Sequence, residues 1–166
     1  RANPPCGKKS SITMVGADGN GSSDGELAVS RPDFWATTSN KQLNFVQHIV
    51  RMLKIGGSAA VVFPDNVLFE GGAAARIRER LMHECDLHTI LRLPTGRFYA
   101  QGVKANVLFF ERKAASEKPW TKDVWVYDFR TNATFTLKTR QLKRSDLDGF
   151  ITAYAAADRS KRVETE

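Results

Sequence analysis

The chain has 166 residues, of which 42% are hydrophobic and 26% are charged. This length and composition are typical of one globular domain, or of most of one, and argue against wholesale disorder. The sequence holds no run of about 18 apolar residues and opens on no recognisable signal peptide, so no membrane span is predicted. Lys and Arg outnumber Asp and Glu by 25 to 18, a net charge of +7. That excess favours polyanionic partners, although a basic surface without a partner explains it equally well.

The first predicted elements are a long loop, a helix and a strand. Residues 7–38 are rich in Gly, Ser, Asp, Lys and Thr and keep no periodicity, which predicts a loop. A helix follows, with Ser39 as its N-cap and Gln42 completing a capping box, and it ends at the glycines at 56–57. The short apolar run Ser58–Phe63 predicts a buried strand covered on both faces.

The middle of the chain predicts a second helix and a hairpin. The helix spans about Ala73 to Glu84. Strands are predicted at Leu87–Leu93 and Ala105–Arg112, joined by Pro94–Lys104. That connection is too short for a crossover helix, so the two strands are predicted to be antiparallel. Asp123–Arg130 alternates like a further strand.

The last predicted element is a helix from Ser145 to about Asp158, with Asp148 at its capping-box position. The order of elements predicts an α/β fold whose parallel sheet ends in an antiparallel hairpin.

The basic cluster Lys138–Arg144 could contact DNA or a partner subunit, and a solvated basic face is at least as good an interpretation.

The tripeptide Asn3-Pro4-Pro5 is the sharpest chemical feature, although on its own it is more often a rigid turn. An exocyclic amine on adenine is a poor nucleophile, because its lone pair is delocalised into the ring. Two acceptors that hold both amine hydrogens would localise that lone pair on nitrogen. The side-chain oxygen of Asn3 and the carbonyl of Pro4 can supply the two acceptors, and the prolines hold the backbone rigid.

Asn-Pro-Pro resembles the signature of amino-methyltransferases that use S-adenosylmethionine, and longer stretches extend the likeness. In the same order and with similar spacing, four of them closely resemble the methylation subunits of type I restriction-modification systems: Thr38–Leu43, Gly57–Gly72, Leu87–Phe110 and Asp123–Asp128. The match covers most of residues 1–130. The chain therefore resembles the C-terminal half of an adenine-N6 DNA methyltransferase domain.

The resemblance implies a Rossmann-like methyltransferase sheet in which Asn3 follows the fourth strand and Ser58–Phe63 is the fifth. We expect residues 1–130 to form that half of the catalytic domain and residues 131–166 to form a basic, partly helical extension. The main S-adenosylmethionine loop is expected upstream of Arg1, so the chain alone is expected to be inactive. Glycines at 16, 19 and 21 are rejected as that loop because no strand is predicted before them.

Catalytic roles are implied for the first motif, and substrate contacts for the hairpin connection. The catalytic set is Asn3, Pro4, Pro5 and Cys6. Cys6 departs from the family, which carries an aromatic there that stacks on the flipped adenine. The substrate-binding set is Arg97, Phe98, Tyr99 and Lys104. Phe98 is the expected stacking ring, with a core position as the alternative, and Tyr99 is its substitute. Arg97 and Lys104 could hold phosphates or be merely solvated.

The function implied is methyl transfer from S-adenosylmethionine to N6 of an adenine flipped out of duplex DNA. The implied partners are a second methylation subunit, a specificity subunit and a restriction subunit. Two alternatives stay open: a non-catalytic scaffold, or a protein or RNA amino-methyltransferase. No metal is expected, because the three histidines lack ligand spacing. Two cysteines are too few for a disulfide framework, so we expect the cytoplasm as the compartment.

Overall fold

The computed structural model describes residues 1–4, 14–15, 21–22, 28, 30–95, 103–130, 142–156 and 158–162. The strands in this part of the chain are β1 (Met14–Val15), β2 (Gly21–Ser22), β3 (Ser58–Pro64), β4 (Cys85–Leu93), β5 (Ala105–Arg112) and β6 (Trp125–Asp128). The helices are α1 (Lys41–Met52), α2 (Asn66–Phe69), α3 (Ala73–Glu84) and α4 (Asp148–Tyr154), with 3-10 turns at Arg144–Leu147 and Arg159–Lys161.

The main sheet has the order β3-β5-β4-β6. Strand β5 runs antiparallel to both β3 and β4, whereas β6 runs parallel to β4. Residue Ala2 adds a parallel bridge to Val61 on the free side of β3. The predicted antiparallel hairpin of β4 and β5 is therefore confirmed, and β5 enters the sheet between two strands that are parallel to each other.

Helices α1 and α3 pack on one face of this sheet and form the larger core. Val46 and Val50 of α1 meet Ile77 and Leu81 of α3 there, over Phe110 of β5. Each of these side chains is at most 3% exposed. Burial of one such side chain stabilises a fold by about 1.5–3 kcal/mol. The helical spacing of apolar residues correctly predicted the bounds of α3.

The opposite face is covered by α4. Phe150, 6% exposed, packs there with Leu91 and Leu93 of β4. The described part of the C-terminal segment thus lies against the sheet, while the domain boundary at residue 130 stays a prediction. Coverage of β3 is uneven, since Val61 and Phe63 are buried but the residues between and beside them are half-buried or exposed. The prediction that both faces of β3 are covered was wrong.

The start of α1 differs from its prediction. The N-cap is Asn40, whose side-chain oxygen accepts from the backbone N–H groups of Gln42 (3.0 Å) and Leu43 (3.3 Å). Ser39 is one residue too early for this role. Gln42 is consequently the second helical residue rather than the third, so its side chain is not placed to close a capping box.

Three further predictions needed correction. The loop predicted over residues 7–38 contains a two-residue antiparallel pair, β1 with β2, so a short strand does precede the glycines from 16 to 21. Helix α2 was not predicted, because four residues are too few to show a period. The last helix is interrupted: a 3-10 turn precedes α4, and Asp146 rather than Asp148 accepts the capping hydrogen bond, from the Lys143 backbone N–H at 2.6 Å. No helix in the described part of the chain is long and apolar enough to cross a membrane.

Candidate active site

The backbone of the first residues is tied to β3. The N–H of Ala2 donates to the carbonyl of Ala60 at 3.1 Å, and the N–H of Val62 donates to the carbonyl of Ala2 at 3.2 Å. This is the pattern of a parallel strand pair. Asn3 therefore leaves the sheet in the same direction as β3, toward the edge where parallel strands end. Open α/β sheets bind their ligands at that edge.

Asn3 and Pro4 have opposite environments. Asn3 is exposed, and Pro4 directly after it is buried. Asn3 lines an open pocket of about 390 Å³ together with the apolar side chains of Ala60, Val62 and Val107. The Asn3 side chain is therefore presented to solvent from a backbone that is hydrogen-bonded to β3 at Ala2 and buried at Pro4. Pro5 and Cys6 lie outside the described residues.

Asp65 organises the carboxyl end of β3. Its side chain accepts from Asn106 Nδ2 at 2.6 Å and pairs with Arg130 Nη1 at 3.4 Å. Its backbone N–H donates to the carbonyl of Lys104 at 3.0 Å. Asp65 thereby joins the end of β3 to the start of β5 and to the residues after β6. The connection between β4 and β5 is anchored at its carboxyl end by these contacts.

A second pocket, here called the cationic pocket, lies at this same edge. It has a volume of about 340 Å³ and is lined by Arg92, Pro94, Thr95, Lys104 and Arg130. Lys104 is exposed. The other predicted substrate residues, Arg97, Phe98 and Tyr99, lie outside the described residues. The structure therefore brings Lys104 to the edge from which Asn3 emerges.

Sequence reasoning missed the residues that build this edge. Arg92, Asn106 and Arg130 lie inside predicted strands, where their position gives no sign of a functional role. Asp65 had one available signal, because it directly follows Pro64 at the predicted carboxyl end of a strand. A search for polar residues at strand ends would have found it.

Other titratable groups lie away from this edge. Burial raises the pKa of the Cys85 thiol to about 11, which leaves it protonated and unreactive at neutral pH. Burial lowers the pKa of His88 to about 4, so its ring is neutral. Within the described ranges, no group of three or more His, Cys, Asp or Glu side chains could hold a metal ion.

The parallel Asn-Pro segment, β3, β5 and β4 form part of a Rossmann-like sheet of the kind found in S-adenosylmethionine-dependent methyltransferases. The family model described as "N-6 DNA Methylase" matches residues 2–165. The chain belongs to the N-6 DNA methylase family.

Curated and solved relatives agree with this assignment. The methylase subunit of the type I restriction enzyme EcoKI from Escherichia coli K12 is 52% identical over 168 residues, and that of StySPI from Salmonella potsdam is 45% identical over 168 residues. The crystal structure of the EcoKI M protein superposes with a TM-score of 0.73 at 49% identity, covering 92% of this chain and 29% of that one. A putative type I modification subunit from Vibrio vulnificus YJ016 gives 0.72 at 30% identity, covering 98% and 31%. The alignments with the two curated subunits cover 92% of this chain but only 32% of each subunit, so the chain spans about a third of their length.

Proposed function

We propose that this chain is the part of a DNA adenine-N6 methyltransferase that holds the target amine. The observation that carries the proposal is the placement of Asn3: exposed, on a backbone fixed against β3, at the carboxyl edge of a methyltransferase sheet. Membership of the N-6 DNA methylase family supports the same substrate. The curated relatives are named as methylase subunits of type I restriction enzymes.

The chemistry proposed for Asn3 and Pro4 concerns the two hydrogens of the adenine N6 amine. The Asn3 side-chain oxygen accepts one hydrogen and the Pro4 carbonyl accepts the other, which concentrates the lone pair on nitrogen. S-adenosylmethionine would supply a methyl group on a positively charged sulfur, which departs as a neutral thioether. N6 forms the new bond to carbon, and its excess proton passes to water. Because the acceptors are already in place, little reorganisation is needed in the transition state.

The remaining site assignments are carried forward as proposals. Phe98 stacks on the flipped adenine, with Tyr99 as its substitute, and Cys6 occupies the place of a second ring. Arg97 and Lys104 contact the DNA backbone. Pro5 keeps the turn rigid after Pro4. No residue of the described chain is assigned to the cofactor, since the pocket beside Asn3 is lined by Arg1, Asn3 and small apolar side chains.

The proposed assembly is that of a type I restriction-modification system. A specificity subunit would choose the DNA sequence, a second methylation subunit would complete the methyltransferase, and a restriction subunit would join the larger complex. We place this assembly in the cytoplasm, where its duplex DNA substrate lies. The net charge of +7 agrees with a polyanionic substrate.

Asn3→Ala tests the function in the protein expressed from its natural reading frame with its co-purifying subunits. We expect kcat for methyl transfer to fall at least about 100-fold, because an acceptor that acts in the transition state is lost. DNA binding in a gel-shift assay should be unchanged. Incorporation of radiolabelled methyl groups into duplex DNA measures the rate, with RNA and protein as competing substrates.

Lys54→Ala is the control, since Lys54 is exposed and lies near the amino end of β3, at the opposite end of that strand from Asn3. It should methylate DNA at the wild-type rate. A normal rate in Asn3→Ala would refute the assignment of Asn3. Methylation of RNA or protein instead of DNA by the wild type would favour the amino-methyltransferase alternative.

A further inference from the structure

The cationic pocket has a lining of one sign of charge. Arg92, Lys104 and Arg130 line it, and its two other described lining residues, Pro94 and Thr95, are uncharged. The carboxylates that neutralise part of this charge, Asp65 and Asp128, are absent from the described lining. A concave site lined by cations and a hydroxyl is suited to an anion.

Arg130 is held in a fixed position beneath the pocket. Its Nε and Nη2 donate to the two oxygens of Asp128, each at 3.1 Å, and its Nη1 lies 3.4 Å from Asp65. Its side chain is 18% exposed. The two carboxylates orient this guanidinium at the pocket wall and leave it little freedom.

Arg92 has donor capacity that the described residues do not use. Its Nη1 makes only a long ion pair with Asp128, at 3.4 Å. Its Nε is buried and has no hydrogen-bond partner among the described residues. A buried donor without a partner is rare in native proteins, so the hydrogen-bonding capacity of Arg92 is only partly used. Lys104, exposed at the opposite end of the connection, adds a flexible ammonium group.

We propose that the cationic pocket binds one phosphodiester group of the DNA strand that carries the target adenine. Arg92 and Lys104 contact the phosphate oxygens, Thr95 adds a hydroxyl donor, and Arg130 contributes its fixed charge. Arginine presents several donors in a planar fork that suits a phosphate. This inference rests on the proposed function and adds to it the two arginines and the ligand.

The position of the pocket explains why such a contact would matter. Arg92 lies two residues before Pro94, and Lys104 lies at the far end of the same connection. Both ends of the segment that carries Phe98 would therefore grip the sugar-phosphate backbone. Phosphate contacts set the register of a protein on DNA without reading sequence. Here they would align the extruded nucleotide between Phe98 and Asn3.

Salt-dependent DNA binding tests the proposal in the natural-length protein with its co-purifying subunits. Arg92→Gln and Lys104→Gln should each weaken binding about tenfold, as expected for loss of a charged hydrogen bond. Each should also reduce the slope of log K against log salt by about 1, because one phosphate fewer is neutralised. Lys104 is exposed, so its replacement should leave the fold intact. Lys104→Gln therefore tests the phosphate site even if Arg92→Gln does not fold.

Lys54→Gln is the matched control. Lys54 is exposed and lies near the amino end of β3, at the opposite edge of the sheet. A duplex with a single neutral methylphosphonate, scanned through the positions flanking the target adenine, supplies the second arm. At one position the neutral linkage should weaken wild-type binding but leave Lys104→Gln unaffected, the coupling expected of a direct contact.

The possible outcomes distinguish failure of the phosphate site from failure of the proposed methyltransferase function. If both pocket variants bind with the affinity and salt slope of Lys54→Gln, or if no methylphosphonate position couples to Lys104, the phosphate site is refuted while the methyltransferase assignment stands. If the wild type neither binds nor methylates duplex DNA, the proposed function fails first. Coupling at a single position, together with a reduced salt slope in Lys104→Gln, supports the phosphate site.

Discussion

The structure describes the position of Asn3 at the sheet edge, whereas Cys6 is assigned to the site only from its place in the sequence motif. Asn3 is positioned by two backbone hydrogen bonds of its neighbour Ala2, and Pro4 is buried behind it. Cys6 is identified only by its place in the motif, where relatives of this family are expected to carry an aromatic ring. A cysteine offers no flat face, so one side of a flipped adenine would lack its stacking partner.

Cys6→Phe and Phe98→Ala should therefore change base stacking in opposite directions. Stacking of a base on an aromatic ring is worth about 1–3 kcal/mol. With 2-aminopurine at the target position, we expect deeper quenching in Cys6→Phe and weaker quenching in Phe98→Ala, measured in the natural-length protein. The two changes should be non-additive, because both rings would clamp one base. Unchanged fluorescence and methylation in Phe98→Ala would mean that Phe98 is a core residue.

Among the elements, α3 is joined to its neighbours through the carboxylate of Glu84, whose side chain is 3% exposed. It pairs with Arg51 of α1 at 3.1 Å and Arg112 of β5 at 2.8 Å, and it accepts from Trp35 Nε1 at 2.7 Å. Burial by itself raises the pKa of Glu84, but the Trp35 hydrogen bond and the two arginine charges outweigh it, and the pKa is lowered. One carboxylate thus ties together a helix pair, a strand and the segment before α1.

Glu84→Gln should destabilise the fold by about 3 kcal/mol, because it removes the buried counter-charge of the partly buried guanidinium groups of Arg51 and Arg112. Equilibrium unfolding in urea measures the loss as a lower midpoint at an unchanged slope. Glu79→Gln, at an exposed position of the same helix, is the control and should change stability by less than about 0.5 kcal/mol. Equal midpoints for the two variants would show that the Glu84 cluster contributes no net stability.

For the whole molecule, the buried titratable groups predict instability in acid. The folded pKa of His88 is about 4 against an ordinary value of 6.5, chiefly because burial disfavours the charged ring. Between these two values the unfolded chain binds a proton that the folded chain does not, so stability falls as pH decreases through this window. The lowered pKa of Glu84 acts in the same direction below its ordinary value of 4.5.

Thermal unfolding between pH 7 and about 4 tests this behaviour. We expect Tm to decrease steadily below the ordinary pKa of His88, and the decrease between pH 6.5 and 5 to be shallower in His88→Gln, which has no ring to protonate. Replacement of His48, whose Nδ1 lies 3.1 Å from Arg31 at an exposed contact, is the comparison. The same pH slope in His88→Gln as in the wild type would contradict the assignment of His88 as the acid-sensitive group.

Local patterns in the sequence predicted those elements whose residues are neighbours along the chain. The bounds of α3 and β5 agree with prediction, because apolar spacing shows the period of a helix or strand wherever the element is long enough. The patterns did not predict α2, the Asn40 cap or the interruption before α4. These depend on one or two hydrogen bonds, for which several neighbouring side chains are equally suitable.

The sequence by itself was sufficient to identify the Asn-Pro-Pro motif and the family that it resembles, and to predict the antiparallel pairing of β4 with β5. Only the tertiary structure decided that Asp65 meets Asn106 and Arg130, which are 41 and 65 positions further along the chain. Their contacts exist because β5 pairs with β3 on one side and β4 on the other, while β6 adds in parallel to β4. Strand order depends on packing between distant segments, and no local periodicity encodes it.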